Sequence, residues 1–142
     1  MSEEQDILAV NHAFYRAFEK KDLDAMNAVW SKGAGSICIH PGREALRGWE
    51  RISDSWQQIF RNTNYIEINT EIITVEINGD LAYVVLIETV LQVVGRRQLQ
   101  VRSMATNVFE RTAKQWYLVH HHGSPVGGMR EIFDPLRGER RL

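Results

Sequence analysis

Apolar residues follow two different rhythms along this chain. In the first third, Ile7, Val10, Phe14, Ala17 and Phe18 recur every three or four residues, which predicts an amphipathic helix with one apolar stripe. Ser2 and Gln5 precede it at capping-box spacing. The stripe ends at the polar cluster Glu19-Lys20-Lys21-Asp22. Asp22 then suits the N-cap of a second, short helix carrying Leu23, Met26, Val29 and Trp30. Gly33-Ala34-Gly35 breaks that helix, Ser36 to Ile39 is a short β-like run, and His40-Pro41-Gly42 stops it. Leu46, Trp49, Ile52, Trp56, Ile59 and Phe60 again step by three or four and predict a third helix.

From Tyr65 the period changes to two. Ile66, Ile68, Thr70 and Ile72 alternate with Glu67, Asn69 and Glu71, as in a half-exposed strand. Asn78-Gly79 is a strong hairpin signal whose two central positions call for positive φ. Leu81 to Val94 is apolar on both faces apart from Glu88, Thr89 and Gln92, so both faces need cover. Gly95-Arg96-Arg97 turns the chain, and Gln98 to Arg111 and Gln115 to His122 predict two more strands. Three helices followed by an antiparallel meander argue for an α+β fold. Pro125 onward is rich in Gly, Pro and Arg, so a single domain is expected over 1–126 and a C-terminal tail with little structure of its own over 127–142.

Composition narrows the function classes. The chain has 142 residues, 44% hydrophobic and 25% charged, which is ordinary globular composition and enough for one core. Its formal net charge is −1, so neither nucleic acid nor an anionic membrane is indicated as a partner. No apolar run approaches the roughly 18–20 residues of a membrane span. The acidic start lacks the layout of a secretory signal, and Cys38 is the single cysteine. Together these favour a cytoplasmic location.

No nucleophile elbow and no phosphate-binding glycine loop occur. Cys38 in an apolar strand reads as a buried inert thiol. Among His120, His121 and His122, strand alternation groups His120 and His122 with Trp116 and Leu118, and His121 with Tyr117 and Val119. That is not a metal signature, so no metal and no cofactor is expected. The aromatic residues of the helical third, Phe14, Tyr15, Phe18, Trp30, Trp49, Trp56 and Phe60, either fill a core or line a pocket at the open end of a curved sheet. His40, fixed ahead of Pro41, is the best-placed polar group to face such a pocket. It either caps a chain end by hydrogen bonds or acts as a general base. The expected site is therefore His40 as the catalytic candidate, with Tyr15, Trp30, Trp56, Phe60, Asn107 and His121 around a small apolar or amphipathic ligand.

Several motifs, in this order and spacing, resemble the nuclear transport factor 2-like superfamily and its SnoaL-like and ketosteroid-isomerase-like branch. They are Phe14-Tyr15-Arg16-Ala17-Phe18 with Lys21-Asp22-Leu23-Asp24, then Ile39-His40-Pro41-Gly42, Gly48-Trp49, Asn78-Gly79-Asp80, and the run from Trp116 to Pro125. That last run is also similar to the end of the calcium/calmodulin-dependent kinase association domain. The resemblance implies a cone-shaped α+β barrel, a pocket at its wide end with His121 on the pocket side, and a homodimer through the outer sheet face. One histidine face would then lie in the dimer contact. The resemblance also implies isomerase- or hydrolase-like acid/base chemistry in an active member. The isomerase residues carry over poorly: His40 stands where that family has an aspartate before the proline, Phe14 with Tyr15 beside it stands where it has a tyrosine, and Ser103 to Asn107 contains no acid. A non-catalytic association module with a vestigial pocket is the alternative.

Overall fold

The computed structural model describes the backbone of residues 2–134 and 139–140 and the side chains of residues 2–127. Helix α1 (Glu3–Lys20) starts at the expected capping box: Ser2 Oγ accepts from Gln5 N, and Gln5 Oε1 accepts from Ser2 N. It ends at Lys21, whose left-handed backbone (φ 53°) is held by its own side chain, because Nζ donates to the Thr63 carbonyl at 2.7 Å. Helix α2 (Leu23–Val29) is capped by Asp22, which accepts from Ala25 N. Strand β1 (Ile37–Ile39) follows and pairs antiparallel with the short β2 (Leu46–Arg47). Helix α3 (Trp49–Asn62) thus starts three residues later than the apolar pattern predicts, and Leu46 belongs to the sheet. Gly48 makes the corner between β2 and α3 with φ 89°, a conformation that favours glycine.

The meander is β3 (Tyr65–Asn78), β4 (Leu81–Val94), β5 (Arg97–Thr112) and β6 (Gln115–Asp134). Sheet order is β2-β1-β6-β5-β4-β3, with β7 (Glu139–Arg140) beside β6. All pairs are antiparallel except β1 with β6, which is parallel. At the first hairpin Asn78 still pairs with Leu81, so the two loop residues are Gly79 and Asp80 and only Gly79 has positive φ. The turn lies one residue beyond the predicted Asn-Gly centre. Strand β6 continues through Pro125 to Asp134 along β5, where 127–142 was expected to be an unstructured tail. The pairing there is backbone to backbone and does not require the large apolar residues whose absence suggested a tail.

One face of β4 and β5 packs on the helices. Ala82, Val84, Leu86 and Val90 on β4, and Ala105 and Phe109 on β5, meet Ile7, Phe14, Trp30, Ile52 and Trp56 in a single core. This is a three-helix layer on a curved, mostly antiparallel sheet, the cone-shaped α+β architecture. No helix among the described residues lies over the opposite face of the sheet. Val85, Ile87 and Leu91 are half-buried there, and Tyr83 and Met104 are exposed.

Candidate functional site

Alternation along β4 sends residues 82, 84, 86, 88 and 90 inward, and the fourth of these is a glutamate. Glu88 is 2% exposed. Tyr15 Oη, from α1, donates to its Oε2 at 2.7 Å. Tyr15 in turn accepts from Asn107 Nδ2 on β5 at 3.2 Å, and the same amide donates to Asn11 Oδ1 on α1 at 2.9 Å. With its amine so committed, Asn107 presents its Oδ1 to His121 on β6, and His121 Nδ1–H donates to it at 2.5 Å. Five side chains from α1, β4, β5 and β6 thus form one buried chain of hydrogen bonds within a mainly apolar core.

His121 reaches this network through a bulge. Phe109 pairs with Leu118 but Val108 pairs with His120, so Val119 is an extra residue on β6. The extra residue reverses the alternation. Trp116 and Leu118 point inward before it and His121 after it, whereas uninterrupted alternation puts His120 and His122 on the Trp116 face. In the structure His121 is buried, His120 is half-buried and His122 is exposed.

Above the network lies a cavity of about 340 Å³. Phe18, Ile59, Val90, Val101 and Pro125 form its apolar walls. His40, Glu88, Gln92 and His121 supply polar atoms, and Arg43 sits in the exposed turn at the mouth. The volume is at the lower end of the range for small-molecule sites. Gly123 makes room at the floor: a Cβ there would lie 3.0 Å from Pro41 Cγ and 3.3 Å from Glu88 Oε1.

Burial sets the charge states. Glu88 is pushed up to about 7, mainly by desolvation, with the Tyr15 hydrogen bond opposing. His40 is lowered to about 4 by burial and by the Arg43 charge, and His121 to about 3 by burial and the neighbouring imidazoles. Both histidines are therefore neutral at physiological pH, and Glu88 is the group that titrates near neutrality. Burial pushes the Cys38 thiol well up, so it is inert as expected.

The residues expected from sequence divide into three sets. His40 and His121 line the cavity. His40 also shares a hydrogen bond with Ser55 Oγ, in the middle of α3, at 2.7 Å, so its imidazole ties the turn to a helix side chain and caps no chain end. Tyr15 and Asn107 stand behind the floor and act on it through hydrogen bonds. Trp30, Trp56 and Phe60 need correction: none of the three is among the lining residues. Trp30 and Trp56 are fully buried and pack edge-on against Phe14, because the stripes that carry them face the centre of the helical layer. Phe60 stacks on Trp56 at 5.9 Å. Residues missed were Glu88, Gly123 and Asn11. Each carried a signal: an acid at an inward position of an apolar strand, a glycine inside a strand, and an amide four residues after Ile7 on the apolar stripe of α1. No cluster able to hold a metal occurs among the described residues, and no helix among them is long and apolar enough to cross a membrane.

The SnoaL-like domain model matches residues 7–127. The chain belongs to the SnoaL-like domain family. A relative, the F-box protein SKIP8 of Arabidopsis thaliana, is 30% identical over 118 residues, which is 83% of this chain and 48% of that protein. The chain therefore spans about half the length of this relative. Among solved structures, a Streptomyces avermitilis protein named as a dehydratase of the nuclear transport factor 2-like family is 32% identical, with TM-score 0.81 over 87% of this chain and 96% of that one. A Thiobacillus denitrificans protein named as a calcium/calmodulin-dependent protein kinase type II association domain is 30% identical, with TM-score 0.74 over 83% and 93%. A ketosteroid isomerase-like protein from Erwinia carotovora is 19% identical with TM-score 0.78 over 88% and 97%, a likeness of fold. This SnoaL-like chain thus has similarity both to a protein named for a reaction and to one named for assembly.

Proposed function

We propose that the protein binds a small, largely apolar molecule in the cavity, with its polar end at the Glu88, His121 and His40 floor. The observation that carries this reading is Glu88 itself. It is a buried carboxyl on an otherwise apolar strand face, beside a cavity, with no cation paired to it among the described residues. Burying such a group without a charge partner costs folding energy. A core built for stability alone would be better served by an apolar side chain there. If chemistry occurs, it is acid/base chemistry of the isomerase or dehydratase kind, with Glu88 the proton carrier and His40 an orienting group. Similarity to the Streptomyces protein is consistent with that. A fragment screen followed by amide chemical shifts tests the reading. Shifts should centre on Phe18, Glu88 and His121 and vanish in Val101→Trp, which puts bulk into the cavity from its wall. Ligands that shift only residues elsewhere would overturn it.

A second reading rests on the uncovered sheet face. We infer a homodimer through Val85, Ile87, Leu91 and Met104, with His120 and His122 on the same face of the contact. Similarity to a protein named as an association domain supports assembly of some kind. Light scattering at micromolar concentration should give twice the chain mass, and a monomer mass would reject the dimer.

A further inference from the structure

The hydrogen-bond network leaves specific atoms for a ligand. Tyr15 Oη donates to Glu88 Oε2, so the carboxyl oxygen still open is Oε1, which lies beside the backbone of Gly123 at the cavity floor. Asn107 Nδ2 is used by Asn11 and Tyr15, so Asn107 offers only its oxygen to His121. That requires the proton of neutral His121 to sit on Nδ1. The ring nitrogen left to a cavity-lining His121 is then Nε2, carrying a lone pair. Two acceptors, one on β4 and one on β6 with β5 between them, therefore remain for the ligand. Among the described residues, the one cation lining the cavity is Arg43, in the solvated turn at the mouth, where a charge pair contributes little.

We propose that the cavity takes an apolar molecule by a hydrogen-bond-donating end, an alcohol or a protonated amine, with His121 Nε2 and Glu88 Oε1 as its acceptors, and discriminates against carboxylates. This rests on the cavity being the binding site. An ammonium group would donate to both atoms and pair with ionised Glu88. A hydroxyl would donate to His121 Nε2 and take the Glu88 proton as an acceptor when that carboxyl is neutral. A carboxylate has no proton to give His121 and would lose its water with no cation at the floor. The apolar walls, with Phe18 among them, suit a body about the size of one aromatic ring.

Four probes of matched size test this on the whole chain: 2-phenylethanol, 2-phenylethylamine, phenylacetate and ethylbenzene, titrated by NMR. The alcohol or the amine should bind at least roughly tenfold more tightly than phenylacetate, a margin typical of one satisfied buried polar group. The better of the two identifies the donor as neutral or charged. Phenylacetate binding equally or more tightly at the cavity would overturn the donor rule while leaving the cavity as the site. Ethylbenzene matching the best probe would do the same. Silence from all four would overturn the binding reading and this inference with it. The tautomer is read separately, without any variant, from the imidazole nitrogen shifts of His121. Protonated Nδ1 is required, and a proton on Nε2 in the free protein would overturn the proposal.

Discussion

Tyr15 Oη and Glu88 Oε2 lie 2.7 Å apart although 73 residues separate them in the chain. The hydrogen bond ties the middle of the first helix to the middle of a central strand. It is also the one interaction named as holding Glu88 down against the desolvation that raises it. Tyr15→Phe should therefore move Glu88 further above about 7, as read from its side-chain carbon shift in a pH titration. Loss of the phenol also leaves Asn107 Nδ2 with Asn11 alone. A stability loss of about 1–3 kcal/mol is expected by chemical denaturation at pH 8, and a smaller one at pH 5, where Glu88 is neutral.

Burial of Glu88, His40 and His121 predicts stability that rises from pH 5 to about 7 and then levels off. Glu88 is raised from 4.5 to about 7, so the folded state binds the extra proton and this contribution is lost as pH rises through that range. The full loss is about 3 kcal/mol. His40 and His121 are lowered from 6.5 to about 4 and about 3, so each contributes stability that is lost as pH falls below 6.5. Two such groups outweigh one glutamate, leaving a net loss of roughly 1.4 kcal/mol per pH unit between 6 and 5. Melting temperature should rise from pH 5 to about 7 and change little from 7 to 8. Glu88→Gln removes the opposing slope, so the loss between pH 6 and 5 should become roughly twice as steep, and an unchanged slope would contradict the Glu88 shift.

Gly123→Ala should cost stability and close the floor together. Its Cβ would press on Pro41 Cγ at 3.0 Å and on Glu88 Oε1 at 3.3 Å. Overpacking of this kind costs about 1–3 kcal/mol. A variant as stable as the parent would show that Pro41 moves aside freely and that the His40 turn is loosely held.

The β5–β6 hairpin turns on Ala113 and Lys114, at φ 51° and 68°. Neither is a glycine, and among the described residues no side-chain hydrogen bond compensates Lys114 as one does Lys21. Lys114→Gly should therefore stabilise the protein by about 1 kcal/mol, visible as a rise of a few degrees in melting temperature. A fall would indicate that this turn tolerates the left-handed region without strain.

The fold was largely legible because its signals are local. The capping box at Ser2, the Asp22 cap and the bounds of Leu81 to Val94 follow from short-range pattern, and all are present. Signals failed where a single residue changed the phase. Val119 reversed the facing of the three histidines, and nothing in Trp116 to His122 marks the bulge, since Val, His and Leu all suit a regular strand. The tryptophans misled for a different reason. Helical spacing tells which residues share a face but not how far along the helix the cavity lies, and Trp56 and Phe60 fall on the core side of its wall. Glu88 was visible as the lone acid of its strand, yet its pairing with Tyr15 depends on two elements meeting across the core.

Strand β1, which leads into His40, has its long partner in β6, with Cys38 beside His121. That parallel pairing sets a timetable for a chain leaving the ribosome. Until the segment around His121 has emerged, β1 has only two-residue β2 to pair with, and Asn107 lacks the imidazole it positions. Such distant pairings slow folding, because the loop must close before any contact rewards it. Termination just before β6 would leave the helical layer and strands β1 to β5 with Glu88 but without His121, a species for chaperones to hold and not a half-working protein.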